Sequence, residues 1–223
     1  MIRAVIFDFD GVIANSEPLH FTAFHDVLAA EGVAFSEEEY YTRYLGYDDA
    51  GVFRAVKRDR RLTWTVDRVA KLIARKAARL ERIEQERPIL FPGAEQAIRR
   101  LAALVPLAIA SGALRAEILR VLDRAALTPY FGAVVAAEDS PASKPAPEPY
   151  LRAVSLLSTS MGEPLQPDEC GAVEDSRWGL QSARAAGLHT VAVTNTYAAA
   201  SLSEAEIIIA NLDALDLPLL RQF

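Results

Sequence analysis

The chain is almost without cysteine: Cys170 stands alone in 223 residues. That excludes an internal disulfide and offers no cysteine-rich metal site. The small and apolar neighbours Gly171, Ala172 and Val173 instead predict a buried cysteine near a strand. No uninterrupted apolar run reaches the ~18 residues that suggest a membrane span. Positive charge is not in excess, with 24 Lys+Arg against 30 Asp+Glu and a net charge of -6. This balance argues against nucleic acid as the main partner. The first residues enter an apolar stretch that carries acids, which is not the pattern of a signal peptide. The expectation is therefore a cytoplasmic protein with no membrane partner, a monomer or weak dimer. Internal repeats and low-complexity tails are also missing.

What is present begins at Ala4-Val5-Ile6-Phe7-Asp8-Phe9-Asp10-Gly11. A β-branched and aromatic run leads into two carboxylates and a glycine, which reads as a buried strand ending at a tight turn. A desolvated acid is costly without a partner, and the carboxyl ends of strands are where open α/β sheets bind ligands. Next comes Ala14 to Pro18, with Ser16 a candidate N-cap and Pro18 in the first helical turn. Leu19, Phe21, Phe24, Val27 and Leu28 then recur at helical spacing. A second helix starts at Ser36, followed by Glu37, Glu38 and Glu39, which suit a helix N-terminus. A break is expected over Tyr44 to Asp49 and a further helix over Ala50 to Asp59. From Thr65 to Glu86, Val66, Val69, Ile73, Ala77, Leu80 and Ile83 step by three or four, predicting one long amphipathic helix. Residues 57–87 hold 11 Lys/Arg and 5 Asp/Glu. This basic stretch is either a solvated helix face or a lid over an anionic substrate. Arg87-Pro88-Ile89-Leu90-Phe91-Pro92-Gly93 reads as a hinge. Residues 16–88 thus form an all-helical insert, and residues 1–15 and 89–223 a second body.

In that body short apolar strands alternate with helices. Strands are expected at residues 106–110, 132–136, 170–173, 190–193 and 207–209, with helices from about Ala94, Arg115, Pro149 and Trp178. The alternation means βαβ units and a parallel sheet, an α/β fold. Strand ends then carry Asp8/Asp10, Ser111 and Glu174/Asp175, and Lys144 lies in the loop after the strand ending near Ala136. Parallel strands bring such groups to one edge. Asp8, Glu174 and Asp175 are hard oxygen donors with no histidine or cysteine nearby, a set suited to Mg²⁺ bridging to a phosphate. Ser111, Lys144 and the amides following Ser111 suit phosphoryl oxygens. One carboxylate of the Asp8/Asp10 pair could attack phosphorus, and the other could move protons for the leaving group and for water.

With these residues in place the chain resembles the haloacid dehalogenase superfamily over nearly its whole length. The four motifs are Asp8-Phe-Asp10-Gly-Val, Ala110-Ser111-Gly112, Lys144-Pro-Ala-Pro-Glu-Pro-Tyr150 and Val173-Glu174-Asp175-Ser176. The helical insert resembles the small cap of the β-phosphoglucomutase-like branch. The resemblance implies a Rossmann-like core, with Asp8 as nucleophile and Asp10 as general acid/base. It further implies Mg²⁺ on Asp8, the Asp10 carbonyl and Asp175, supported by Glu174. Ser111, Gly112 and Lys144 would hold the phosphoryl group. An aspartate two residues after the nucleophile points to phosphotransfer rather than dehalogenation. Glu17-Pro18-Leu19-His20 is similar to the family's entry to the cap, where a histidine helps position the acid/base, so His20 is carried over. Two departures are Asn15-Ser16, where the family often has an acid, and Gly112, where it often has an asparagine.

The cap is expected to select the substrate by closing over the site and excluding water. Its candidates are Arg43 and Gly46 in the loop with Tyr47, Asp48 and Asp49, and Arg75 and Lys76 on the long helix. Arg115 either reaches phosphate or faces solvent. Trp64 and Trp178 read as packing residues. The function expected is a Mg²⁺-dependent phosphatase for a small phosphorylated metabolite such as a sugar phosphate. The alternative is a sugar phosphomutase, which needs a second phosphate site in the cap. A catalytically silent binding protein is a remote third, since no motif residue is missing.

Overall fold

The computed structural model describes residues 1–45, 47, 49–86 and 89–223. They divide into two compact units, Met1–Asn15 with Leu90–Phe223, and Ser16–Ile89. In the first unit the strands are β1 (Ala4–Phe7), β2 (Leu107–Ala110), β3 (Phe131–Val135), β4 (Cys170–Glu174), β5 (His189–Val193) and β6 (Ile207–Ile209). They form one six-stranded sheet in the order β3-β2-β1-β4-β5-β6, every pairing parallel. β1, β2 and β4 are buried throughout, the pattern of strands covered on both faces. One face carries Ile6, Ala108, Ala110, Val135, Cys170 and Ala172, packed with Tyr150, Ala153, Val154, Leu157 and Ala183. Cys170 is wholly buried, as its neighbours suggested, and burial pushes its thiol up to about 12.

The order of the sheet locates the chemistry. From β1 the chain runs outward to β2 and β3, then returns to the other side of β1 as β4. That reversal makes β1/β4 the topological switch point, the place where open α/β sheets leave a crevice beyond the strand ends. Phe7 pairs with Val173, so Asp8 follows one strand where Glu174 closes the other. Asp8 N–H still donates to the Val173 carbonyl at 2.9 Å.

The helical unit contains α1 (Glu17–Ala29), α2 (Glu37–Glu39), α3 (Asp49–Asp59) and α4 (Val66–Glu86). Its core is aromatic and aliphatic, with Phe24, Phe35, Tyr40, Tyr44, Phe53 and Leu72 all buried, and Trp64 packs against it. Ser36 caps α2 as expected, accepting from Glu39 N–H at 3.1 Å. Ser16 precedes α1 with helical backbone angles and gives no side-chain cap. The stretch after α2 winds more widely, as a π-helical turn over Tyr40–Tyr44. Of the break expected over Tyr44 to Asp49, Gly46 and Asp48 lie outside the described residues, as do Arg87 and Pro88 of the expected hinge.

The long helix forms where its periodicity predicts, but it turns a different edge inward. Val66 is 87 % exposed, and the buried stripe is Val69, Leu72, Lys76, Leu80, Ile83 and Glu84. A lysine enters this stripe because its charge is met there: Asp49 Oδ1 lies 2.6 Å from Nζ, His20 Nδ1 3.0 Å, and the Phe24 ring centroid 4.7 Å. The basic face is laced to acids of its own unit, with Arg68 and Arg75 each 2.5 Å from Glu31 and Arg79 2.7 Å from Asp26.

The remaining helices of the first unit are α5 (Ala94–Ala102), α6 (Arg115–Arg124), α7 (Glu148–Met161), α8 (Arg177–Ala185) and α9 (Leu217–Leu220). Trp178 does not pack as expected: it sits on the first turn of α8 and is 57 % exposed.

Candidate active site

The switch point gathers acids. Asp8, Glu174 and Asp175 are all buried, and each offers an oxygen within 4.8 Å of the others. Burial pushes the Asp8 carboxyl up to about 7, against the pull of Lys144 and with the charge of Glu174 adding to it. Asp175 is likewise pushed up to about 7, by burial first and then by Asp8 and Glu174. Burial opposes the charge of Lys144, yet Asp8 and Glu174 together hold its ammonium above the usual lysine range. Its Nζ lies 2.9 Å from Asp8 Oδ1 and 2.6 Å from Glu174 Oε1. Lys144 arrives from the loop leading into α7, far from the acids in sequence.

Glu174 is the most tightly held of the three. Its side chain has no exposure. Oε1 accepts from Lys144 and from the Tyr150 hydroxyl, both at 2.6 Å, and Oε2 accepts from Ser176 Oγ at 3.2 Å. Ser176 also caps α8, accepting from Gly179 N–H at 3.1 Å. A Cβ at Gly179 would overlap the Glu174 carboxylate, so the first turn of α8 closes over this acid only because residue 179 has no side chain. Gly11 plays the same part for Asp175. Its φ is +78°, and a Cβ there would overlap Asp175 Oδ2. The Thr196 hydroxyl bonds Asp175, and Asn195 Nδ2 donates to the Gly11 carbonyl at 2.9 Å.

Ser111 follows β2 at the same sheet edge and is buried. Its Oγ accepts from Ala113 N–H at 3.0 Å, so that amide is turned to the serine. A Cβ at Gly112 would meet no atom within 4 Å. Asp10 lies two residues past Asp8, half-buried, and bridges to Ala14. Arg115 is half-buried, and its Nη2 donates to the Val134 carbonyl at 2.8 Å and pairs with Asp139.

The other candidates belong to the helical unit. Arg43 lies 2.9 Å from Asp59 and 3.5 Å from Glu39, Arg75 is bound to Glu31, and Lys76 joins Asp49 and His20. Tyr40 donates to Glu17, whose carboxyl burial pushes up. Gly46 lies outside the described residues.

The acid cluster suits a hard divalent cation. Three buried carboxyls face one ammonium, all donors are oxygen, and carboxylate sites of this kind take Mg²⁺. Among the groups that sequence reasoning missed, Tyr150 had a signal, since it stands in the same motif as Lys144. Ser176 and Gly179 share the turn after Asp175. Thr196 and Asn195 had none, because their proximity to Gly11 and Asp175 depends on where β5 ends.

A parallel sheet with carboxylates at its switch point, joined to an inserted helical unit, defines a class, and comparison identifies it. A family model described as haloacid dehalogenase-like hydrolase matches residues 2–187; the chain belongs to this family of enzymes. Protein CbbY of Rhodobacter capsulatus is 36% identical over 205 residues, covering 88% of this chain and 87% of that protein. Hexitol phosphatase B of Escherichia coli strain K12 is 34% identical over 197 residues, covering 86% and 83%. Among solved structures, CbbY from Rhodobacter sphaeroides in complex with xylulose-(1,5)bisphosphate superposes with a TM-score of 0.80 at 25% identity over 96% of each chain. Among the described residues no helix is long and apolar enough to cross a membrane.

Proposed function

We propose that the chain is a phosphoric monoester hydrolase for a small phosphorylated sugar or sugar alcohol, acting through an aspartyl-phosphate on Asp8. The observation that carries this reading is Lys144 bridging Asp8 and Glu174 at 2.9 and 2.6 Å inside a buried acid cluster. A carboxylate held beside a fixed cation is arranged to approach a dianionic phosphoryl group. Lys144 and the Ser111 hydroxyl bind the phosphoryl oxygens. Asp8 Oδ attacks phosphorus, the bond from phosphorus to the ester oxygen breaks, and Asp10 gives the departing alcohol its proton. In the second half, water attacks phosphorus, Asp10 takes its proton, the Asp8–phosphorus bond breaks and inorganic phosphate leaves. Mg²⁺ held by Asp8, the Asp10 carbonyl and Asp175, with Glu174 in support, would offset the negative charge that builds up between carboxylate and phosphoryl group.

Support for hydrolysis over transfer to a second sugar comes from the helical unit. A mutase needs a second phosphate site, and Arg43, Arg75 and Lys76 were the candidates to build it. Each is bound to a carboxylate of its own unit. The relatives add weight to a sugar or polyol substrate, one being named a hexitol phosphatase.

The test is a panel of sugar and polyol mono- and bisphosphates with Mg²⁺, scored for inorganic phosphate and for isomerised ester. Wild type is expected to release phosphate without isomer, and Asp8→Asn to lose activity by roughly 10³-fold or more. Isomer without phosphate, or equal turnover by wild type and Asp8→Asn, overturns the reading.

A further inference from the structure

We propose that Tyr150 is a positioning residue that divides Lys144 between Glu174 and Asp8. The proposal rests on the phosphatase reading above. Lys144 is the shared element: its Nζ is 2.6 Å from Glu174 Oε1 and 2.9 Å from Asp8 Oδ1. Two carboxylates compete for one ammonium, and Glu174, without exposure, has no water with which to make up a lost partner. A buried charge left short of donors is costly. The Tyr150 hydroxyl answers that need. It donates to the same Oε1 at 2.6 Å, from a ring that is itself fully buried.

The same residue supports Lys144 from below, with Nζ 5.1 Å from its ring centroid. Tyr150 lies in the first turn of α7, six residues after Lys144, packed in the core cluster with Ala153, Val154 and Leu157. Its hydroxyl is therefore fixed by the helix rather than by the site. With Glu174 satisfied by the tyrosine, Lys144 keeps hydrogen-bonding capacity for Asp8 and for an incoming phosphoryl oxygen. Without the hydroxyl, Glu174 draws the ammonium toward itself, and the phosphoryl group loses its cation.

The experiment is Tyr150→Phe in the intact chain, which keeps the ring and removes one oxygen. Calorimetric titration is done with Mg²⁺ alone and then with inorganic phosphate at saturating Mg²⁺, beside steady-state hydrolysis of an ester that wild type turns over. The phosphate Kd and the KM are expected to rise about tenfold, the factor carried by one charge-assisted hydrogen bond, while kcat and Mg²⁺ affinity stay within about twofold. In a Glu174→Gln background, where the competing charge is gone, Tyr150→Phe is expected to change the phosphate Kd by less than about twofold. A general loss of packing would instead persist in that background and fall on kcat and melting temperature with KM unchanged. An unchanged phosphate Kd in Tyr150→Phe, or an equal penalty with Glu174→Gln, overturns the proposal. Wild type that neither binds phosphate nor hydrolyses any ester overturns the phosphatase reading, and the proposal with it.

Discussion

The turn of α8 over Glu174 makes a quantitative demand at Gly179. A methyl group built there approaches the Glu174 carboxylate far inside the 3.0 Å that real Cβ atoms respect. Such an overlap is harmless when a side-chain end can swing away. Glu174 cannot, because it is unexposed and held by Lys144, Tyr150 and Ser176. In Gly179→Ala the carboxylate gives up at least one hydrogen bond to a buried charge, about 1.5–3 kcal/mol. Overpacking of a dense interior adds about 1–3 kcal/mol. Alanine returns about 1 kcal/mol through helix propensity. The net expectation is a loss of about 1.5–5 kcal/mol, a large share of the stability of an ordinary domain. Urea unfolding in EDTA at neutral pH measures it. The decisive arm is the cycle with Glu174→Ala, in which the space is empty and Gly179→Ala becomes neutral or stabilising by up to about 1 kcal/mol. A Gly179→Ala protein as stable as wild type, or one that loses the same free energy in both backgrounds, refutes the idea that this glycine exists to admit Glu174.

Two further outcomes follow from the charges of the site. Asp8 and Asp175 are both raised from 3.8 to about 7 in the folded chain, so between these values the native state binds more protons than the unfolded one. Stability of the metal-free protein therefore falls as pH rises from about 4 through about 7, and unfolding in EDTA should need less urea at about pH 8 than at about pH 5.5; added Mg²⁺ should recover the difference at the higher pH. A metal-free protein that gains stability over that interval contradicts the burial of these acids. Lys144→Met removes the ammonium that Asp8 and Glu174 share; it should cost about 3–5 kcal/mol at about pH 8 and less at about pH 5.5, where the carboxyls take up protons. An equal cost at both values, from the same denaturation curves, would show that Lys144 contributes packing alone.

Much of this protein is legible along the chain. The unbroken apolar run Ala4–Phe7 has to be buried on both faces, and a parallel sheet under helices is the structure that buries it. Acids directly after such strands mark the sheet edge where ligands bind. The insert was legible as well, because helical spacing persists from Leu19 to Ile83 without a strand between. These are local properties, carried by periodicity and by glycine and proline.

Other features depend on contacts between residues distant in sequence. Lys76 sits on the basic stretch, and nothing in its neighbours says that it lies 1 % exposed against Asp49; the phase of a helix is chosen by what packs on it. Trp178 read locally as a packing residue, and its tertiary surroundings leave it exposed. Thr196 and Asn195 are ordinary residues until the sheet order brings the ends of β1, β4 and β5 side by side. The sequence by itself determined the strands, the helical insert and the acids at the strand ends, because hydrophobic period and turn residues act over a few positions. Only the tertiary structure decided which donors meet which acids, because burial and hydrogen bonding are settled when strands far apart in the chain become neighbours.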